Sequence, residues 1–447
     1  NTKIIVPPDP GLMGAFGCAY EVKKRLEKNF LKEKEFDLKT LYTREIKYLP
    51  SFTCAGGKEK CDRKCQINMM ELEGEKIPFG GACNKYYNMR LNVEYDAQKL
   101  DLAAVREKML FEEFAKPCGL ANENSKVIGI NRTFLTNMLY PLYFHFWDQL
   151  GYKVILSDSV TLEGREKRKA AFCYPAEIAH GAFDDLLKRK PDYIFMPHIM
   201  HIPVHGNAEN NKACVFVQGE PYYLKQAFKD VEIPEMLIPI IDFQEHVQST
   251  CDEFVKVAES IGVNHKSAVD AFKFAEEQMN AYFAKARKLG QEAIDDLKKN
   301  PDDFAIVLQG RWYNALAREA NMGIPHKIAS RGIKVIPYDF IPFETQDLGL
   351  HMHWGIGKIA LQVAKYVKAN PQLFSTYVTN FSCGPDSFIV PYFRDEMGKK
   401  PSLTLELDSH TADVGLDTRI EAALDIIRYY RQLEATGAVK DDEKFQA

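Results

Sequence analysis

Residues 127–156 read VIGINRTFLTNMLYPLYFHFWDQLGYKVIL. The first four, Val127–Ile130, are apolar and of strand length. Residues 134–150 form an aromatic-rich run that is too long for a strand and reads as a helix. After Gly151 the chain turns back into a second short strand, Lys153–Leu156. Strand, helix and strand in that order call for a parallel sheet, because parallel neighbours need a crossover connection.

The same rhythm continues downstream. Residues 176–188 read as a helix, 193–196 as an apolar strand and 213–218 as another short apolar strand. Residues 244–299 are almost wholly helical in pattern. A buried strand at 303–308 restarts the alternation. It is followed by a helix at 315–322, a strand at 334–336, a helix at 355–368, strands at 375–379 and 402–407, and a closing helix at 418–433. The expected class is therefore α/β: two doubly wound, Rossmann-like domains, 121–243 and 301–447, joined by a helical segment, 244–300.

Upstream the texture differs. Residues 31–120 are charged and cysteine-rich, with little periodicity, and form a Cys-rich N-terminal extension. Residues 1–30 suggest a strand at 4–6, a Pro-Pro-Asp-Pro-Gly turn and a helix. Met13, Phe16, Cys18, Ala19, Val22 and Leu26 would give that helix a buried stripe.

Composition removes several function classes. The chain has 447 residues, with 58 basic and 62 acidic side chains. There is no basic surplus to neutralise phosphates, so no nucleic-acid partner is expected. Apolar runs such as 236–241 fall far short of the roughly 20 residues that span a bilayer, so no membrane partner is expected either. No secretory leader is visible, and the chain reads as cytoplasmic, its start at Asn1 suggesting a piece of a longer protein. Neither G-x-x-x-x-G-K-[ST] nor a strand leading into G-x-G-x-x-G occurs; Gly355-Ile-Gly357-Lys358 lacks the spacing. ATP and NAD are therefore not expected on this chain through those loops.

The chemistry of the sequence lies in its cysteines. Cys54, Cys61 and Cys65 fall within twelve residues, and Cys83 follows in Phe79-Gly80-Gly81-Ala82-Cys83. Soft thiolates so grouped select zinc or iron–sulfur centres, and the spacing is not that of paired C-x2-C zinc knuckles. Lysines and an arginine between them would favour thiolate over thiol. If Cys61 and Cys65 share a helical turn, they share a face. Cys173, Cys214 and Cys383 are scattered, but each lies near a strand–loop junction, where α/β sheets place ligands. By spacing alone the stronger reading is three buried cysteines. Cys18 and Cys251 read as small core residues, and Cys118 as part of a turn. His198, His201 and His205 occupy a Pro-bounded loop; with Glu406 and His410, which end a strand, His198 and His201 are candidate proton donors or acceptors. His351 and His353 make a weaker pair.

Several of these stretches together resemble one family. Ile128-Gly129-Ile130-Asn131-Arg132, Tyr140-Pro141, Leu150-Gly151 and Val154-Ile155-Leu156-Ser157 resemble the opening of the CoA-activase-associated domain related to 2-hydroxyacyl-CoA dehydratases. So do Cys173-Tyr174-Pro175 with His180-Gly181, and Gly310-Arg311-Trp312-Tyr313. Further matches are Thr379-Asn380-Phe381-Ser382-Cys383-Gly384-Pro385-Asp386-Ser387 and Leu405-Glu406-Leu407-Asp408-Ser409-His410-Thr411-Ala412-Asp413. The segment 54–65 with Gly80-Gly81-Ala82-Cys83 resembles what precedes that domain in long fused members. Residues 2–26 look like the last strand and helix of an actin-like ATPase activator.

The resemblance implies iron–sulfur redox chemistry. In such systems an ATPase activator, itself carrying a 4Fe–4S cluster, drives a low-potential electron onto a dehydratase-like component. Dehydratase subunits hold a cubane through three cysteines, and Cys173, Cys214 and Cys383 match that order. Double-cubane relatives carry two cubanes joined by a bridging sulfide and reduce small molecules. Cys54, Cys61, Cys65 and Cys83 would then supply the other side. The expected cofactor is an iron–sulfur cluster, either one cubane (4Fe–4S) or a double cubane (8Fe–9S). The expected partners are that activator, on the same full-length chain or another, a second dehydratase-like half or a second copy, and a small-molecule substrate. The alternatives are a 2-hydroxyacyl-CoA dehydratase subunit and a zinc- or cluster-stapled relay or scaffold.

Overall fold

A computed structural model describes residues 5–35, 37–56, 64–169, 173–204, 211–244, 247–345 and 352–437. The chain divides into two units. The first comprises Asn1–Thr53, Gln66–Phe79 and Arg428–Ala447; the second comprises Cys54–Cys65 and Gly80–Ile427.

The first unit contains an antiparallel meander that periodicity did not announce: β1 (Ile46–Thr53), β2 (Gln66–Leu72) and β3 (Glu75–Phe79), in that order. β2 and β3 are joined by Glu73-Gly74, both at positive φ (53° and 85°), the backbone that a tight two-residue hairpin requires. Most of the sheet is exposed or half-buried, so the two-residue alternation that marks a one-sided strand is absent. The expected N-terminal helix forms at Met13–Glu27, but none of its residues is buried, and Met13, Phe16 and Val22 face solvent. Periodicity locates an apolar stripe without supplying what covers it. Ile5 and Val6 are not in a strand, and Ile4 lies outside the described residues.

The second unit carries the two expected parallel sheets. In the first are β4 (Val127–Ile130), β5 (Lys153–Leu156) and β6 (Tyr193–Phe195). Next along the chain come β7 (His198–His201), β8 (Glu235–Leu237) and β9 (Ile240–Asp242). The sheet order is β5-β4-β6-β8, all parallel, and β7 pairs separately with β9. In the second are β10 (Ala305–Gly310), β11 (Lys334–Pro337), β12 (Leu373–Asn380) and β13 (Ser402–Leu407), ordered β11-β10-β12-β13, all parallel. β10 and β12 are buried along their whole length, as central strands covered on both faces must be. Both sheets reverse their winding between their first and third strands. That reversal opens a crevice at the C-terminal ends of β4 and β6, and another at those of β10 and β12.

The helix Thr136–Gln149 explains why its sequence is apolar all round. His145 meets Phe274 of the long helix His265–Leu297 edge-on at 5.5 Å, and Phe146 meets Phe254 of the helix Cys251–Ser260 at 5.1 Å. On its other side Trp147 and Tyr143 pack on Phe195 of β6. A buried ion pair ties the sheets together: Arg106 Nε donates to Asp339 at 2.7 Å and Arg106 Nη2 to the Asn137 carbonyl at 2.9 Å.

In the long helix, Gly290 lies against the backbone of Phe340, and a Cβ there would overlap the Phe340 carbonyl. Alanine would gain about 1 kcal/mol in helix propensity. Overpacking against a backbone that cannot rotate away costs about 1–3 kcal/mol, so the overlap wins. Gly290→Ala is expected to lower the denaturant midpoint; an unchanged or higher midpoint would contradict this packing.

Four local readings need correction. Residues 213–218 do not form a strand: the Cys214 carbonyl accepts from Val217 and Gln218 N–H at 2.9 and 3.0 Å, starting the helical turn Val215–Gln218. Tertiary context overrides the β-propensity of Val-Phe-Val there. The helix expected at 315–322 is instead the turn Trp312–Ala315 with irregular backbone after it, and helix resumes at Ile324–Ala329. The His198–His201 stretch is strand β7 rather than loop, since Pro197 precedes the ladder and removes no hydrogen bond from it. Cys18 is exposed and Cys251 half-buried, so neither is a core residue. Among the described residues no helix is long and apolar enough to cross a membrane.

Candidate functional site

Three cysteines far apart in the chain each occupy a helix N-cap. Cys173 caps Tyr174–Lys188, Cys214 caps Val215–Gln218, and Cys383 caps Gly384–Met397 just beyond β12. Two of them stand in Cys-x-Pro, with the proline in the first turn, where its missing N–H costs nothing. Ser382 at φ 60° turns the chain off the end of β12 and presents Cys383.

The caps bring the thiols within electrostatic reach of one another. Cys214 raises the proton affinity of both Cys173 and Cys383, and Tyr313 responds to the charge of all three. Arg311, the first residue after β10 and 2% exposed, acts on Cys173 and Cys383. Its Nη2 is 2.9 Å from Asp386 Oδ2 and also donates to Asn380 Oδ1, while its Nε has no partner among the described residues. Tyr377 and Thr379 donate to the same Asp386 carboxylate. Burial pushes the Cys383 thiol up to about 12, opposed chiefly by the Arg311 charge. Burial raises Cys173 too, again against Arg311. Even with Arg311 beside them, burial keeps Cys173 and Cys383 as neutral thiols; the guanidinium lowers the cost of the thiolate without overcoming burial. The backbone N–H of Asp386 reaches Cys383 Sγ at 3.4 Å.

A second group forms near the start of the second unit. Cys54 and Cys65 face each other through the Cys54 N–H to Cys65 carbonyl bond of 2.8 Å. The Gly56 N–H reaches Cys54 Sγ, and the Ala82 N–H reaches Cys65 Sγ, both at 3.4 Å. Gly80 and Gly81, at φ 93° and 94°, bend the backbone so that Ala82 can do this. Tyr86 is raised to about 12 by burial, then by its hydrogen bond with Cys54 and the charges of Cys54, Cys83 and Cys65. Tyr86, then the Gly56 N–H and Lys85, hold Cys54 below the ordinary thiol range against its burial. Cys65 leads directly into β2, which places it in extended backbone. Cys61 lies outside the described residues, as do His205 and His351.

The other candidates are not among the groups that act on the thiols, although β7 is bonded to the residues just before Cys214, Ala213 N–H donating to the Met200 carbonyl at 2.9 Å. His201 Nδ1 is 2.9 Å from Asp242 Oδ1 across the β7–β9 pair. His198 meets the edge of Tyr222 at 5.5 Å, with its buried Nδ1 unpaired among the described residues. Glu406, half-buried, is in register with Thr379. His410 is exposed; its N–H donates to Asp408 at 2.9 Å. Next to it, Ser409 Oγ reaches Glu177 at 3.5 Å, on the helix that Cys173 caps. His353 packs edge-on against Trp354. The groups acting most strongly on Cys173 and Cys383 are Arg311, Asp386 and Cys214, not a histidine.

Arg311, Tyr313 and Asp386 were given no role from sequence, although all three fall in stretches that carry the family resemblance. Their signal was positional: each lies just past the C-terminal end of β10 or β12, beside the crevice.

Among the described residues no set of three His, Cys, Asp or Glu side chains is drawn tightly enough to hold a single metal ion. A cubane presents its irons at separate corners and takes cysteines at wider spacing than one ion does. Thiols only, a buried guanidinium and backbone N–H groups aimed at sulfur form the donor set that suits such a cluster.

Residues 127–341 match the family described as CoA enzyme activase uncharacterised domain (DUF2229), which relates this part of the chain to the CoA enzyme activases. No curated protein matches the chain. Among solved structures, the periplasmic zinc binding protein TroA from Treponema pallidum is similar at 8% identity, with 69% of this chain and 99% of that chain covered and a TM-score of 0.22. Two single-site mutants of a metal-free periplasmic metal binding protein from Candidatus Liberibacter asiaticus are similar at 11% identity. They cover 68% of this chain and 99% or 98% of theirs, each with a TM-score of 0.20. Scores of this size establish no shared fold.

Proposed function

We propose that this chain is the electron-accepting, iron–sulfur component of an ATP-activated reductase, related to the CoA enzyme activases. The observation that supports this reading is that Cys173, Cys214 and Cys383 share electrostatic surroundings with Tyr313, and that the buried Arg311 acts on Cys173 and Cys383. Those three would hold one cluster, and Cys54, Cys61, Cys65 and Cys83 a second or an attached one. When bound, the group would supply low-potential one-electron transfer to a small substrate.

The chain's own residues set the conditions. Burial of the pocket keeps the dielectric low, which makes each added negative charge costly. Arg311 offsets that charge, and Asp386, with its hydroxyl donors, keeps the guanidinium in place. The Asp386 N–H spreads charge on the Cys383 sulfur. The electron donor would be an actin-like ATPase activator, on the same full-length chain or another. The substrate would enter through the crevice at the strand ends.

The test is anaerobic purification with iron, sulfide and zinc analysis, followed by reductive titration. Iron with equimolar sulfide, reduced by an ATP-dependent activator, is the expected result. Zinc without sulfide would replace this reading by a stapled scaffold. Turnover of a 2-hydroxyacyl-CoA ester would make the chain a dehydratase subunit instead.

A further inference from the structure

Cys54 and Cys65 stand in a relation that metal binding does not by itself require. In the β1–β2 ladder Phe52 pairs with Ile67 and Thr53 with Gln66. The next residues in that register are Cys54 and Cys65, and the backbone holds them to it: the Cys54 N–H donates to the Cys65 carbonyl at 2.8 Å. The two are therefore directly opposite one another as a hydrogen-bonded antiparallel pair, and opposed side chains project from the same face. Such a pair has its Cα atoms about 5.5 Å apart. Disulfides are commonest with Cα atoms about 5.5–6 Å apart, so the backbone already stands at bonding distance.

The sulfurs are held by the backbone around them. The Gly56 N–H reaches Cys54 Sγ and the Ala82 N–H reaches Cys65 Sγ, both at 3.4 Å. Both residues are half-buried and carry free thiols, so a small oxidant can reach them, whereas Cys383 is shut away. Opposed Cβ atoms in a hydrogen-bonded pair are about 5.5 Å apart. A disulfide needs about 3.5–4.5 Å, so forming the bond draws the pair together by roughly 1 Å. That strain makes the bond easy to reduce, which suits a reversible link rather than a permanent staple.

We propose that Cys54 and Cys65 form a reversible dithiol–disulfide site, oxidised by a hydroperoxide when no metal occupies their sulfurs. With hydrogen peroxide the step balances as follows. One sulfur attacks the peroxide and breaks its O–O bond; that thiol becomes a sulfenic acid and one water leaves. The other sulfur attacks the sulfenic sulfur, forming the S–S bond and breaking the S–O bond. The departing hydroxide takes the second thiol's proton and leaves as the second water. The two sulfurs lose two electrons in all, and the peroxide gains them. This chemistry needs only the two thiols and is independent of the cluster reading. Where that reading holds, the disulfide removes two of the four donors Cys54, Cys61, Cys65 and Cys83, and loading waits on reduction.

The experiment starts from the full chain, stripped of metal by a chelator and fully reduced under anaerobic conditions. Equimolar hydrogen peroxide is added to wild type, Cys54→Ser and Cys65→Ser, remaining thiols are alkylated, and linkages are mapped by mass spectrometry. Wild type is expected to lose two thiols and yield peptides joined through Cys54 and Cys65. Either substitution is expected to abolish that product, and excess reduced glutathione to restore both thiols in wild type. Linkage of either residue to Cys61 or Cys83 instead, no linkage at all, or a bond that survives glutathione overturns the site. Iron and sulfide are then offered to the oxidised and reduced proteins. Reduced wild type that takes up neither, with the Cys54–Cys65 bond mapped, overturns the cluster reading and leaves the site standing.

Discussion

Cys383→Ser is expected to remove roughly four irons per reconstituted chain, a whole cubane, while leaving the metal-free protein folded. Cys383 is 6% exposed and fixed at an N-cap, so no other side chain can swing into its place. Serine still accepts the Asp386 N–H, which preserves the cap. It is a hard oxygen donor and a poor iron ligand where three thiolates are needed. Cys173→Ser and Cys214→Ser should behave alike if the proposed single ligand set is right. Cys118→Ser and Cys251→Ser, at half-exposed or exposed positions outside both groups, should keep full iron. Iron and sulfide analysis with electron paramagnetic resonance of the reduced proteins decides the matter. Full iron in Cys383→Ser would remove the pocket as the cluster site.

Arg106→Met is expected to destabilise the second unit by about 3–5 kcal/mol, the usual cost of orphaning a buried charge. Arg106 is 1% exposed and its partner Asp339 5%. Asp339 Oδ1 already has no partner among the described residues, so Arg106 is what compensates the carboxylate. The guanidinium also bonds the Asn137 carbonyl, joining the helix Leu102–Lys108, the helix Thr136–Gln149 and the segment after β11. The double variant Arg106→Met/Asp339→Leu should recover most of the loss, since neither charge is then left in the interior. Chemical denaturation of all three proteins measures the coupling. A loss below about 1 kcal/mol in the single variant would mean that water reaches Asp339 and that the pair is effectively exposed.

Much of the architecture was legible in the chain. Strands of four to eight apolar residues alternating with long helical runs required parallel sheets, and both sheets formed with the same winding. The failures were short elements. Val215-Phe216-Val217 has strand propensity, yet four residues carry too little intrinsic preference to resist the turn that begins at Cys214. The meander β1–β3 was missed because its strands lie largely in solvent and lose the alternation that burial imposes.

What the sequence determined by itself was the list of thiols, the Cys-x-Pro caps and the α/β rhythm, because these depend on local spacing and on burial of one face. Which thiols share surroundings was decided only by tertiary structure: Cys173 and Cys383 cap helices far apart in the chain, yet each responds to Arg311, Asp386 and Cys214. The same holds for Arg311 and Asp386. Each is an ordinary polar residue in the linear chain, and its chemistry comes from being shut away from water beside groups that no local pattern predicts.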